Sequence, residues 1–356
     1  MSATTRVLAA LAFILLVPSA LLAHAKFLRS SPAAGATLTS LPNAILLVFT
    51  EKPELSLSSV KLVSPVGDTS ILSPLRRDSS ERNSLVAPVT TDAGEGTYKV
   101  LWRTAASDGH PSHGTIEFKV AAVQQASSLV ESATSPDSAT IEVKAKGVMF
   151  VATGGAFMSV LARWLAFAST FLIIGALAFR TLVLKRMSKD PQDLFVQIAS
   201  TNTATLGIVA AVAGIFASML KLSRESADMP DASLGAMMFG SFWGTALLIQ
   251  IVAAAVAGSG FILAHNTRES TRSRGWLIAL IAAAALGAAP ALGGHAFANG
   301  SALIAVPADI VHVIVGSMWL GTLAVIVIVG IPAALKAPDS IRPGARVAGM
   351  INTFSP

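Results

Sequence analysis

The sequence predicts two modules of different class: an exported all-β Greek-key sandwich or barrel, then an all-α polytopic membrane domain with about five transmembrane helices. Three observations predict this. Of 356 residues, 53% are hydrophobic and only 13% charged, too apolar for an ordinary soluble protein. The apolar residues alternate over short stretches in the first part of the chain and form long, membrane-length runs in the second. The chain also begins as an export signal, with Arg6, an apolar run from Val7 to Leu22, and small Ala23.

Residues 1–23 are therefore read as signal peptide and 24–121 as the β-domain. Ile45-Leu46-Leu47-Val48-Phe49 is an apolar run bounded by Pro42-Asn43 and Lys52-Pro53. Val60 and Leu62 lead into a turn at Ser64-Pro65. Tyr98, Val100 and Trp102 alternate with Lys99, Leu101 and Arg103, and Ile116, Phe118 and Val120 alternate with Glu117 and Lys119. Short alternating strands punctuated by Gly, Pro and Asp predict a sandwich of the immunoglobulin-like kind. The chain has no cysteine, so neither disulfides nor thiolate metal sites are available to it.

Residues 122–147 are rich in Ser, Ala, Thr and Gln and read as a linker. The membrane domain occupies 148–356, with spans near 155–181, 197–220, 236–264, 276–294 and 307–333. Basic residues follow the first span (Arg180, Lys185, Arg186, Lys189), the third (Arg268, Arg272, Arg274) and the fifth (Lys336, Arg342, Arg346). The opposite loops hold only Lys221 and Arg224. The positive-inside rule then puts the β-domain outside and the C-terminus in the cytoplasm, in agreement with the signal peptide. This accounts for the net charge of +6 without nucleic acid, and no phosphate-loop motif is present.

Cleavage after Ala23 makes His24 the mature N-terminus; cleavage after Ala25 is the alternative, since Ala23-His24-Ala25 itself satisfies A-x-A. A terminal His offers an amine and an imidazole to one metal ion, donors suited to Cu(II). Asp108-Gly109-His110 supplies a carboxylate and a second imidazole, although Asp-Gly by itself also reads as a turn. His113 is read as an exposed neighbour or auxiliary ligand. After Met1 the next methionine is Met149, so the β-domain lacks the thioethers that favour Cu(I). In the membrane domain, His295 falls at the outer end of the fourth span, and Asp309 and His312 share a helix face at spacing i, i+3. Pro307 is read as the first turn of the fifth span, with Asp309 complementing the helix dipole or pairing with Arg163. Met318 and Trp319 read as packing or interface residues.

The exported half resembles the CopC-like periplasmic copper-binding proteins. The resemblance rests on His24-Ala25-Lys26, Ser31-Pro32-Ala33-Ala34-Gly35, Leu47-Val48-Phe49-Thr50-Glu51, Gly96-Thr97-Tyr98, and Ser107-Asp108-Gly109-His110-Pro111 leading into Gly114. The membrane half resembles the CopD-like copper resistance family through Arg163-Trp164, Gly294-His295-Ala296, and Asp309-Ile310-Val311-His312 followed by Trp319-Leu320-Gly321. The resemblance implies Cu(II) held by His24, Asp108 and His110, and copper handling across the bacterial inner membrane. His113, His295, Asp309 and His312 are the auxiliary or membrane-path candidates. The Met-rich Cu(I) loop of some members is absent. Relatives of the membrane half are expected to continue beyond Pro356, so the chain reads as a shortened member or a truncated frame.

The expected function is copper binding and transport or resistance, not catalysis. Expected partners are the copper ion, the lipid bilayer and other copper-handling periplasmic proteins. Two other readings stand beside it: a haem-bearing membrane oxidoreductase with His295 and His312 as axial ligands, and a membrane-anchored β-sandwich that binds another protein.

Overall fold

The structure is a computed structural model. It describes residues 26–91, 94–106, 109, 111–121, 154–188, 190, 193–293, 302–337 and 342–354. The β-domain contains β1 (Phe27–Ser31), β2 (Thr37–Leu38), β3 (Ala44–Phe49), β4 (Ser59–Val63), β5 (Thr69–Ile71), β6 (Ser84–Pro88), β7 (Gly96–Ala105) and β8 (Pro111–Val120). One sheet has the order β1-β3-β6 and the other β2-β8-β7-β4-β5. β2 runs parallel to β8, and the remaining pairs are antiparallel. The chain passes repeatedly between the sheets, which buries the inward face of each against the other.

The alternation in β7 sorts its side chains as expected. Tyr98, Val100 and Trp102 are buried, whereas Thr97, Lys99 and Leu101 are exposed and Arg103 is half-buried. They meet Leu47 and Phe49 of β3, Val60 and Leu62 of β4, Leu85 of β6, and Phe118 of β8 in one core. Each large apolar side chain buried here stabilises the domain by about 1.5–3 kcal/mol. The Tyr98 hydroxyl donates to the Gly94 carbonyl (2.9 Å) and accepts from the Gly94 N–H (2.8 Å), which fixes the entry to β7. Trp102 stacks on Phe27 (5.6 Å between centroids) and meets Phe49 edge-on (5.2 Å).

The helical domain has seven helices among the described residues. Helix α1 (Gly154–Ala178) runs through a π-turn (Phe179–Leu184) into Lys185–Met187. It is followed by α2 (Leu194–Asp228), α3 (Leu234–Gly240), α4 (Phe242–Ala264) and α5 (Glu269–Leu292). Helix α6 (Ala302–Val325) continues through Ile326–Gly330 into Ile331–Lys336, and α7 is Pro343–Phe354. Five of these are long and apolar enough to cross a membrane. Close approach makes the bundle tight where α1 crosses α6. A Cβ on Gly321 would come within 2.9 Å of Gly175 Cα, so only hydrogen fits between these backbones. Ser169 Oγ donates to the Ala210 carbonyl (2.7 Å), joining α1 to α2. Helix α7 packs beneath, with Met350 buried and Arg346 over the Phe195 ring (4.7 Å).

Three boundaries differ from the sequence reading. Span two does not end near residue 220 but continues as helix to Asp228, so Lys221 and Arg224 are helical rather than in a loop. Nothing from Leu222 to Met229 breaks a helix, and the first proline is Pro230. Span three is divided: Ser241 is extended (φ −126°, ψ 153°) and its hydroxyl accepts from Gly244 N–H, capping a new helix after α3. Pro307 lies inside α6 rather than in its first turn, because the helix already begins at Ala302.

Candidate metal centre and the chamber beneath it

Two backbone clasps gather one rim of the sandwich. Lys26 N–H donates to Thr50 Oγ1 (2.9 Å), and Thr50 N–H donates to the Lys26 carbonyl (2.9 Å). A few residues on, Pro53 bridges Ala106 and Glu54 N–H donates to the Ala105 carbonyl (2.9 Å). The Thr50–Glu54 segment thus holds the chain start of β1 and the chain end of β7 at the same rim. His24 lies two residues before the first clasp, and Asp108 and His110 lie just beyond the second. His24, Asp108, His110 and also His295 are outside the described residues.

Gly109, between the two candidate ligands, is described. Its N–H donates to the Ala106 carbonyl (2.9 Å) and its φ is +82°, a left-handed turn that glycine adopts without cost. The turn reading of Asp-Gly is realised at Gly109 itself, which closes back on Ala106 at the end of β7. Gly109 rests against Trp243: a Cβ there would sit 2.6 Å from the indole Cγ. His113 is exposed on β8, opposite Arg103 of β7.

The β-domain docks on the turn from α2 to α4. Leu57 and Ala105 pack against Met229 and Met237 in a small buried cluster. Around it, Lys61 Nζ pairs with Asp231 (2.8 Å) and Ser59 Oγ donates to the same carboxylate (3.0 Å). Arg103 donates to the Asp228 carbonyl (2.9 Å), and Ser56 Oγ to the Gly240 carbonyl (2.8 Å). The Lys61 hydrogen bond, opposed by partial burial and helped by Ser59, holds the Asp231 carboxyl below its ordinary 3.8.

Below Gly109 and Pro111 a chamber of about 370 Å³ opens between α1, α2, α4 and α5. Arg163, Lys221 and Arg224 bring positive charge to its wall, and Glu225 and Asp228 bring negative charge. Deeper in, Thr170 and Gln250 supply oxygen donors. The charged residues of α2 were not among the sequence candidates. Their spacing was the available signal: 221, 224, 225 and 228 recur at i, i+3, i+4 and i+7, one face of a helix. Asp309 is half-buried and His312 exposed on α6, and neither lines this chamber. Among the described residues no three His, Asp or Glu side chains cluster as metal ligands.

A β-sandwich seated over a polar chamber in a bundle of five membrane-length helices defines a class: a multi-pass membrane protein with a β-domain docked on one end. The comparisons with known proteins say which. Residues 27–121 match the CopC domain, and residues 154–305 match the N-terminal domain of copper resistance protein D-like proteins. Protein YobA of Escherichia coli K12 is 34% identical over 105 residues, 30% of this chain and 85% of that protein. Copper transport protein CutJ of Bacillus subtilis 168 is 21% identical over 330 residues, which is 89% of this chain and 56% of that protein. The crystal structure of CopC from Methylosinus trichosporium OB3b is 23% identical, with a TM-score of 0.26, and covers 29% of this chain and 100% of its own. The chain belongs to the CopC family and is a fusion of a CopC domain with a CopD-like membrane domain, within the copper resistance and transport group.

Proposed function

We propose that the β-domain captures Cu(II) outside the bacterial inner membrane and passes it to the chamber in the membrane domain. The proposed ligands are the His24 amine and imidazole, the Asp108 carboxylate and the His110 imidazole, a nitrogen- and oxygen-rich set suited to tetragonal Cu(II). The observation that carries the reading is Gly109. It sits between two of these ligands and roofs the chamber, so a metal released there has a polar space directly beneath it.

The chamber chemistry suits passage rather than storage. Its described lining offers oxygen donors from Glu225, Asp228 and Gln250, which bind copper less firmly than imidazole, and three cations oppose retention of a metal ion. His113 is an auxiliary ligand in this reading. His295, outside the described residues, and Asp309 and His312, which do not line the chamber, are the further candidates for receiving copper in the membrane domain. The β-domain faces the periplasm and the C-terminus the cytoplasm.

Purified full-length protein is expected to bind one Cu(II) per chain with a nitrogen-rich tetragonal electron-spin-resonance signal. Adding one residue before His24, or changing His110→Ala, is expected to abolish that signal. Unchanged binding in both variants sinks the site. Delivery is tested separately in vesicles: Glu225→Gln with Asp228→Asn is expected to keep Cu(II) binding and lose copper movement across the membrane.

A further inference from the structure

At the end of the bundle away from the β-domain, a second cavity of about 220 Å³ opens between α1, α2 and α5. Its lining includes Arg180, Lys185, Arg272, Ser188, Ser200 and Asp190. Three cations and two hydroxyls thus face one carboxylate. Glu269 pairs with Arg272 across one turn of α5 and occupies part of that guanidinium, which carries five N–H donors. The Arg180 guanidinium makes no hydrogen bond or ion pair among the described residues. It instead lies over the Trp276 ring, 4.4 Å from the centroid, which fixes the plane and leaves the N–H edges free.

Trp276, behind Arg180, does not itself line the cavity; it is buried, and its Nε1–H has no hydrogen-bond partner among the described residues. The helix also departs from α geometry here: the π-turn Phe179–Leu184 begins one residue before Arg180 and turns Arg180 and Leu184 into the cavity wall. Such turns carry a local cost and recur at binding sites. Every under-used group in this corner is a donor, so the complementary ligand is an oxyanion.

Position narrows its source. The 31-residue span Phe157–Met187 is about 46 Å long, against about 30 Å of hydrocarbon, so its last turns reach headgroup height. We propose that this cavity seats the phosphodiester of an anionic phospholipid, with Arg180 and Arg272 on the phosphate oxygens and Lys185 at the rim. Basic clefts between transmembrane helices at this depth bind such headgroups.

The test uses full-length protein in zwitterionic detergent. Phosphatidylglycerol, phosphatidylcholine and inorganic phosphate are added in turn, with thermal stability and lipid retention in native mass spectrometry as readouts. Phosphatidylglycerol is expected to raise the melting temperature and to be retained. Arg180→Gln with Arg272→Gln should lower retention by about tenfold or more, given loss of two charge-assisted contacts. Lys185→Gln, at an exposed position that does not threaten folding, should weaken retention to a smaller degree. Equal retention by wild type and Lys185→Gln together with an unaffected double variant overturns the proposal. So does stabilisation by inorganic phosphate alone, which assigns the cavity to a free anion.

Discussion

Trp243 of the membrane domain lies directly under Gly109 of the β-domain, so close that an added Cβ would stand 2.6 Å from the indole Cγ and 2.7 Å from Nε1. No side chain fits there without moving one domain off the other, and φ of +82° disfavours one independently. Gly109→Val is therefore expected to loosen docking and to strain the turn by about 1–3 kcal/mol. Protease sensitivity of the full-length protein near residue 109 should rise, and an unchanged digestion pattern counts against the contact.

The same proximity gives a spectroscopic prediction. Cu(II) bound beside Gly109 should quench Trp243 emission. Of the five tryptophans, Trp243→Phe should remove more of the copper-dependent quenching than Trp319→Phe, which changes a residue exposed on α6. Equal quenching in the two variants would place the metal elsewhere.

Docking should be insensitive to pH over the neutral range. The Asp231 carboxyl is held below 3.8 by the Lys61 hydrogen bond, so its contribution is fully present above 3.8 and is lost only as pH falls through the lower value. Asp231→Asn removes the ion pair at any pH. Both partners are partly exposed, so the cost should be about 0.2–1 kcal/mol. Melting of the full-length protein at pH 7 and pH 5 checks both: wild type should keep its advantage over the variant at each.

Copper affinity should behave oppositely in the neutral range. The proposed amine ligand has an ordinary pKa of about 8 and must lose its proton to bind, so Cu(II) affinity should fall as pH drops from 8 to 6. Competition titration against a chelator of known pH dependence measures this. A flat profile rules out the terminal amine.

The crossing of α1 and α6 leaves room only for hydrogen at Gly175 and Gly321. Gly321→Leu is expected to lower stability by about 1–3 kcal/mol or more, by forcing the helices apart. Gly316→Ala, where a Cβ meets nothing within 4 Å, should be neutral in the same detergent melting assay.

Much of the fold was legible because periodicity is local. Tyr98, Val100 and Trp102 alternate with Lys99, Leu101 and Arg103, and burial follows that alternation. Five apolar runs gave five helices of spanning length. The ends were less legible. Charges after Leu220 read as a loop, but in α2 they form one face of a continuing helix, because charged residues do not stop a helix and Pro230 does. Pro307 suggested a helix start, yet α6 begins five residues earlier. Asp-Gly was legible as a turn, and Gly109 with φ of +82° makes one, whereas the candidates Asp309 and His312 do not line the chamber; His24, Asp108, His110 and His295 lie outside the described residues.

From the sequence alone came the two-module class, the run of helices, the family resemblance and the candidate ligand types, since all of these reside in short-range pattern. Tertiary structure decided what touches what. It brought Lys26 and Ala106 to one rim through Thr50–Glu54, 24 and more residues away from either in the chain. It set Gly109 over Trp243, and it gathered Arg163, Lys221, Glu225 and Gln250 around one chamber. Such contacts join residues far apart in sequence, and only packing of the folded elements, with its loop-closure cost already met, fixes which of them meet.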